Sequence, residues 1–513
     1  MKLITKKATL KLTQFIFLLF AISSRAQIQF EEISGTAFDG VLASSIAFAD
    51  IDGDNDQDVL ITGRNGSNQR IAKLYTNDGS GNFTIVSGTP FDGVLFSSIA
   101  FADVDGDGDQ DVLITGQKSS ILRIAKLYTN DGSGNFTEVT GTPFDGVEQG
   151  SIAFADVDGD GDQDVLITGG SNISGKIAKL YTNDGSGSFT KVTGTTFDGV
   201  WRSSIAFADV DGDGNQDVLI TGTNNSGRIA KLYTNDGSGN FTIVSGTPFD
   251  AVFFSSIAFA DVDADGDQDV LITGLNSSAQ RIAKLYTNDG SGSFTEVTGT
   301  PFDGVWESSI AFADVDGDGD QDVLITGQNS FNQRIAKLYA NDGSGNFTIV
   351  SGTPFVGVVV GSIAFADVDG DGDQDVLITG LNSSNQRTAK LYRNTTIDNI
   401  NPVAVTQDIT VPLDVNGQAT ISANDVDNGS SDNIGIATLV LDVTSFDCSN
   451  LGDNTVTLTV TDTSGNTSSA TAVVTVEDDL DPIAVAQDIT VKLDINGQVS
   501  ISASDIDDGS SDN

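Results

Sequence analysis

The chain of 513 residues carries 25 Lys and Arg against 72 Asp and Glu, a formal charge of −47, which excludes nucleic acid as a partner because phosphate binding needs a basic face. It has no histidine and one cysteine, Cys448, so this polypeptide alone holds no imidazole general base, Ser-His-Asp triad, His-containing zinc site, intrachain disulfide or multi-thiolate centre. Hydrophobic residues make up 38%, enough for a packed core and too many for global disorder.

At the N-terminus, Lys2, Lys6, Lys7 and Lys11 precede an apolar run from Phe15 to Ile22, then Ser24-Arg25-Ala26 and Gln27. This order predicts a secretory signal at 1–26 with cleavage after Ala26. The apolar run is shorter than the roughly 20 residues a membrane span requires, and no later segment is long enough to span. Cleavage removes five basic residues and no acidic one, leaving −52. The expected product is a secreted or cell-surface protein without a transmembrane segment.

Internal repetition organises residues 27–394. The string FAD-[IV]-D places its first Asp at Asp50, Asp103, Asp156, Asp209, Asp261, Asp314 and Asp367, a period of 53 with one step of 52. In the second copy, Ser98 to Ala102, Asp111 to Thr115, Arg123 to Thr129 and Phe136 to Val139 read as four short strands, with Asp131-Gly132-Ser133-Gly134-Asn135 as a turn. Four strands in a meander predict one propeller blade, and seven copies an all-β, seven-bladed propeller. The last copy stops at Asn394 without its fourth strand, while Phe30-Glu31-Glu32-Ile33 is an orphan of that type. The N-terminal strand is expected to close the last blade and remove an open edge.

Between the first two strands lies an acidic nonapeptide with carboxylates at positions 1, 3, 5, 7 and 9. Its acidic residues are Asp50, Asp52, Asp54, Asp56, Asp58 in the first copy, then Asp103, Asp105, Asp107, Asp109, Asp111, then Asp156, Asp158, Asp160, Asp162, Asp164. The fourth copy has Asp209, Asp211, Asp213, Asn215, Asp217, and the fifth Asp261, Asp263, Asp265, Asp267, Asp269. The last two have Asp314, Asp316, Asp318, Asp320, Asp322 and Asp367, Asp369, Asp371, Asp373, Asp375. Such crowding is repulsive unless a hard cation takes the oxygens, and calcium accepts six to eight at flexible geometry. Position 6 is Gly in six copies and Asn55 in the first, which fits a positive φ. Position 7 varies, as expected where a backbone carbonyl is the ligand. The Glu that closes an EF-hand is missing, since Ile114 stands there. About seven structural Ca²⁺ sites are expected, each adding roughly 1.4 kcal/mol if free calcium is about ten times Kd.

The loop within "SSIAFADVDGDGDQDVLITG" resembles FG-GAP/VCBS repeats, as in the seven-bladed propeller of integrin alpha subunits, and the VCBS-type bacterial version is the closer likeness. The resemblance implies a calcium-binding propeller used in adhesion or surface recognition, sometimes attached to an enzyme.

Two connections vary among the copies. One precedes the first strand, at Leu42-Ala43, Leu95-Phe96, Glu148-Gln149, Trp201-Arg202, Phe253-Phe254, Trp306-Glu307 and Val358-Val359. The other joins the second and third strands, for example Arg64 to Gln69, Gln117 to Leu122 and Ser330-Phe331. In an up-and-down blade both emerge on the face opposite the acidic loops. Aromatic side chains are enriched at recognition surfaces, so Phe96, Trp201, Phe253, Phe254, Trp306 and Phe331 are the candidate ligand face for a glycan or protein.

After a linker at 395–401, Pro402 to Val411 recurs as Pro482 to Val491. Thr455 to Thr461, the turn Thr463 to Asn466 and Ala470 to Val476 read as a hairpin of a β-sandwich over 402–480. "DNGSSDN-x-GI", "FDC" and "VTLTVTDTSGN" resemble hyalin-repeat (HYR-like) immunoglobulin-type modules of bacterial surface proteins. The resemblance puts Ile434 where such modules often carry a second cysteine, so Cys448 is expected to stay unpaired. Residues 481–513 repeat the module's start and stop before its hairpin.

Three function classes follow. Recognition or adhesion leads. A passive extracellular spacer is the alternative, and part of a polysaccharide-degrading enzyme a second, for which only Glu148 and Glu307 are isolated acid/base candidates. No catalytic residue is assigned.

Overall fold

The computed structural model describes residues 28–396, 400–432 and 435–512. The signal segment read at 1–26, part of the linker, and Ile434 lie outside them.

Each repeat forms a four-stranded antiparallel sheet. In the second, Leu95–Ala102, Asp111–Gln117, Arg123–Thr129 and Thr137–Glu138 pair in chain order. The second strand, Asp-Val-Leu-Ile-Thr-Gly, is buried along six successive residues. A strand covered on both faces needs β-branched and aliphatic residues at every position rather than alternation. Phe91, just before the innermost strand, lies edge-on to Tyr128 at 5.0 Å and tilted against Phe136 at 5.1 Å. That aromatic set recurs from sheet to sheet.

Seven such sheets stand around a common axis. Their innermost strands, Val41–Ala49, Leu95–Ala102, Ile152–Ala155, Trp201–Ala208, Val252–Ala260, Val305–Ala313 and Ile363–Ala366, touch in that cyclic order, the last returning to the first. The hydrophobic core lies between neighbouring sheets. Ala49, Ile51, Leu60 and Leu74 of the first pack on Val94, Ile99, Val112 and Ile114 of the second. Val41, Ile46, Val59 and Ile61 of the first pack equally on Ala366, Val368, Leu377 and Leu391 of the last. The N-terminal strand Phe30–Glu32 pairs antiparallel with the third strand of the last repeat, Phe30 opposite Asn394 and Glu32 opposite Tyr392. The repeats therefore form a β-propeller.

Residues 400–480 hold a smaller β unit. Ile409–Pro412 runs parallel to Thr467–Glu477, which pairs with Gly452–Asp462, which pairs with Ile436–Leu441. A ribbon of Gln418–Thr420 and Ser445–Asp447 completes a core around Leu413, Val426, Phe446 and Val456. Cys448 is exposed, and its thiol donates to the Gly417 carbonyl at 3.7 Å. Beyond it, the bridges Ile483 to Ser511 and Ala486 to Asp507 repeat Val403 to Ser431 and Thr406 to Asp427. No sheet forms there among the described residues, and Leu493 is 65% exposed where its counterpart Leu413 is 3% exposed.

Candidate functional site

The register separates two ends of every sheet. In the second repeat, Ala102 faces Asp111 across the acidic loop, while Leu95 faces Gln117 at the opposite end. Both variable connections therefore lie at the end away from the acidic loop.

At the acidic end, each carboxylate has a distinct part. Asp103 accepts the backbone N–H groups of Gly106 at 2.8 Å and Gly108 at 3.0 Å, which folds the loop. Asp107 accepts from the Asp109 N–H at 3.0 Å. Asp111 accepts from the Val104 N–H at 3.0 Å and from the Asn130 N–H at 2.8 Å. Burial, opposed by these bonds, pushes its carboxyl up to about 6. The matching Asp58 and Asp375 reach about 7 and Asp322 about 8, burial again first among the causes. Position 3 differs: one carboxylate oxygen of Asp52, Asp105, Asp158, Asp211, Asp263 and Asp369 is buried with no hydrogen-bond partner. Burial, then the neighbouring carboxylates, raises Asp105 as well.

Oxygens of Asp103, Asp105 and Asp111 lie within 4.8 Å of one another, as do those of Asp50, Asp52, Asp58 and their counterparts in the next two repeats. In the fifth, the converging set is Asp261, Asp263 and Asp265. Orphaned buried oxygens in a converging carboxylate group are the donor chemistry of a hard divalent cation. The position-7 side chains stand apart. That of Asp109 turns to the Gly132 turn, where a Cβ on Gly132 would come 2.5 Å from its oxygen, and Gly132 has φ +70°.

One residue missed by sequence reading ties these loops together. The Asn130 side chain donates to the carbonyl of Ile51 in the preceding loop at 2.8 Å. Asn77, Asn183, Asn235, Asn288, Asn341 and Asn394 do the same at 2.8 Å, and Asn77 reaches Val368 to join the first repeat to the last. The constant Asn of Leu-Tyr-x-Asn is the available signal, but by composition it reads as turn chemistry.

At the other end, a β-bulge breaks the innermost strands, as between Trp201 and Ser204. It puts Ala43, Phe96, Gln149, Arg202, Phe254, Glu307 and Val360 at φ between 48° and 54°. Left-handed backbone at a non-glycine residue costs roughly 1–2 kcal/mol, and such strain collects at functional positions. The conformation turns four of these N–H groups toward a neighbour: Gln149 donates to the Phe96 carbonyl, Arg202 to Gln149, Val360 to Glu307 and Ala43 to Val360. These seven residues ring the axial mouth, a cavity of about 650 Å³ including space open to solvent. The last variable pair is thus Val359-Val360, one residue beyond the Val358-Val359 read from sequence. Val358 instead pairs with Asn382, as Val305 does with Asn329.

Of the candidate aromatics, Phe96 and Phe254 line the mouth. Trp201, Phe253 and Trp306 pack around it: Phe254 meets Trp306 edge-on at 5.5 Å and Phe253 at 4.9 Å. The Trp306 indole N–H donates to Gln328 at 3.0 Å. Phe331 does not join them. It sits on a hairpin, 77% exposed, and is not among the residues lining the mouth. Arg202 packs its guanidinium carbon 4.1 Å from the Trp201 ring and 4.0 Å from that of Phe254, and its Nε donates to Gln149 at 3.1 Å. Burial lowers its basicity. Burial also raises the Glu307 carboxyl, against the pull of Arg202, Arg334 and Arg281. Glu148, read as an acid/base candidate, is committed to an ion pair with Arg123.

The family described as FG-GAP-like repeat matches residues 50–114, 114–167, 163–220, 209–272, 261–325 and 314–378. No curated protein matches the chain. Among solved structures, the chain is similar to AofleA from Arthrobotrys oligospora at 12% identity and a TM-score of 0.37, covering 63% of this chain and 91% of that one. It is similar to the fucose-specific lectin from Aleuria aurantia at 10% identity and a TM-score of 0.37, covering 61% and 96%. A thermostable family-43 glycoside hydrolase follows at 11% identity and a TM-score of 0.28, covering 49% and 90%. No helix among the described residues is long and apolar enough to cross a membrane.

Proposed function

This chain belongs to the FG-GAP-like repeat family, and on that premise we propose that it is a secreted, calcium-clamped, seven-bladed propeller that recognises a glycan or a surface protein through the axial mouth. One observation carries the reading. Repeats that agree almost everywhere diverge where seven left-handed residues converge on a single cavity. A scaffold that repeats itself elsewhere and tolerates strain at its variable ring is built to present that ring.

Calcium is supported by the partnerless position-3 oxygens and the converging carboxylates. Positions 1, 3, 5 and 9 would hold it, and its charge would offset the repulsion among their carboxylates. Export is supported by the basic, apolar and small-residue order of residues 1–26. The unit at 402–480 fits an HYR-like immunoglobulin-type spacer, followed by an incomplete second copy at 481–513. Against an enzyme stands the mouth's single carboxyl, Glu307, where glycoside hydrolysis uses two.

The test is a screen of glycans and surface proteins with and without chelator, repeated with Trp201 and Trp306 both changed to alanine and with Phe254→Ala. A ligand retained in calcium and weakened by Phe254→Ala is expected. A screen that yields no ligand favours the passive spacer.

A further inference from the structure

The mouth is not seven-fold in its chemistry. Its one guanidinium, Arg202, belongs to the fourth repeat and its one carboxylate, Glu307, to the sixth, with Phe254 of the fifth between them. Arg202 is held from two sides: its flat group rests against Trp201 and Phe254, and Nε is pinned to Gln149. Only the edge carrying the two terminal amino groups is left, and these make no hydrogen bond or ion pair among the described residues. A guanidinium fixed in this way is a planar fork for a carboxylate. Glu307 lines the same cavity, yet no ion pair joins it to Arg202. Its half-buried carboxylate is open to the donors a ligand brings.

The wall between them narrows the choice. The hydroxyls of Ser97, Ser203, Ser255 and Ser308 meet threonine hydroxyls of the preceding repeat at 2.7–2.9 Å. Each of those threonines can also donate to a serine carbonyl, at 3.3–3.4 Å. Either hydroxyl of each pair can donate to the other, so the serines line the cavity as hydroxyls able to accept from a ligand or donate to it. One fork of donors in a ring of hydroxyls fits a ligand with one carboxylate and several hydroxyls.

Charge at this end agrees. Third-strand cations reach across to neighbouring hairpins here: Arg281 to Asn332 at 2.9 Å, Arg387 to Asn68 at 2.6 Å and Lys176 to Asn224 at 2.6 Å. The acidic loops lie a strand's length away, about 25 Å, beyond a screening length of about 8 Å at physiological salt.

We propose that the mouth seats a uronate, a sugar ring bearing a carboxylate, which the Arg202 edge grips while Glu307 accepts from its hydroxyls and the serines exchange hydrogen bonds with them. This deepens the recognition reading above and rests on it.

The full chain in millimolar calcium is titrated calorimetrically with a glucuronate-containing tetrasaccharide, with its carboxyl-reduced neutral counterpart, and with a peptide ending in a free carboxylate. The neutral sugar is expected to bind at least ~30-fold more weakly, the scale of a lost charge-assisted pair. Arg202→Lys keeps the charge without the fork and is expected to lose ~10-fold or more. Gln149→Leu, which unpins Nε, is expected to lose less, and Glu307→Gln to weaken binding of the uronate and of the neutral sugar alike. Unchanged melting in calcium establishes that each variant folds; should Arg202→Lys fail to fold, Gln149→Leu and the two sugars decide. Equal affinity for the neutral sugar, preference for the peptide, or full affinity in Arg202→Lys overturns the uronate. So does a screen that finds another ligand while the tetrasaccharide does not bind. A screen that finds no ligand removes the recognition reading itself.

Discussion

Val360 is β-branched and holds a φ of +54°, a conformation whose cost falls on Cβ. Removing that atom relieves about 1–2 kcal/mol, and the freer unfolded chain takes back about 0.4–1 kcal/mol. Val360→Gly is therefore expected to stabilise the calcium-loaded protein by about 1 kcal/mol in denaturant titration. The ninth-position aspartates give a pH signature. Their folded values of about 6 to 8 lie above an unfolded carboxyl near 3.9, so the metal-free native state binds protons more tightly than the unfolded chain. Stability from these groups is fully present below about pH 4 and lost as pH rises through 6 to 8. In chelator, the melting temperature is expected to be higher at pH 5 than at pH 8; in excess calcium, which competes with the proton, the order should reverse. A flat chelator profile would mean the carboxyls are not buried as described. At this scale the convergence of carboxylates was legible because five acidic positions fall within nine residues. The Arg202 stack was not, because Phe254, which it touches, lies in the next repeat, and the left-handed ring carries no glycine to announce it.

Among elements, the second strand of each sheet sits between its neighbours and against both adjoining sheets. Ile114 is fully buried, whereas Ile121, on the next hairpin, is 84% exposed. Ile114→Ala is expected to cost about 2–5 kcal/mol through lost contact and a residual cavity, and Ile121→Ala less than about 0.5 kcal/mol; chemical denaturation of both variants measures the contrast. Strand order and the acidic hairpin were readable because alternating and continuous apolar runs fall at fixed phase from the aspartates. The bulge was not, since it moves one residue of register without changing composition, and the last variable pair was misplaced by one because Val358, Val359 and Val360 are identical and carry no mark of register. The innermost strand also splits in the third and seventh repeats, into Val147–Glu148 with Ile152–Ala155 and Val358–Val359 with Ile363–Ala366. There Gly150 and Gly361 replace the usual serine.

For the molecule as a whole, the asparagine clamps matter more than any single loop. Asn130 donates its backbone N–H to Asp111 of its own repeat and its side chain to the loop before it, so a loop that loosens also loosens its neighbour's anchor. Chelation is expected to lower the melting temperature in one cooperative transition of the propeller, restored by calcium and not by magnesium, which prefers fewer carboxylates and more water. Seven separate small transitions in calorimetry would instead show that the loops act alone.

The pairing of Phe30–Glu32 with Tyr392–Asn394 has a temporal side. The earlier-made segment waits for a partner made more than 350 residues later, and until the two pair, the third strand of the final sheet offers bare amides and carbonyls to any passing chain. Two nascent molecules that meet in that interval can exchange their leading segments, so crowding during biogenesis should yield interlocked pairs rather than disordered clumps, and a dilute start should yield single rings.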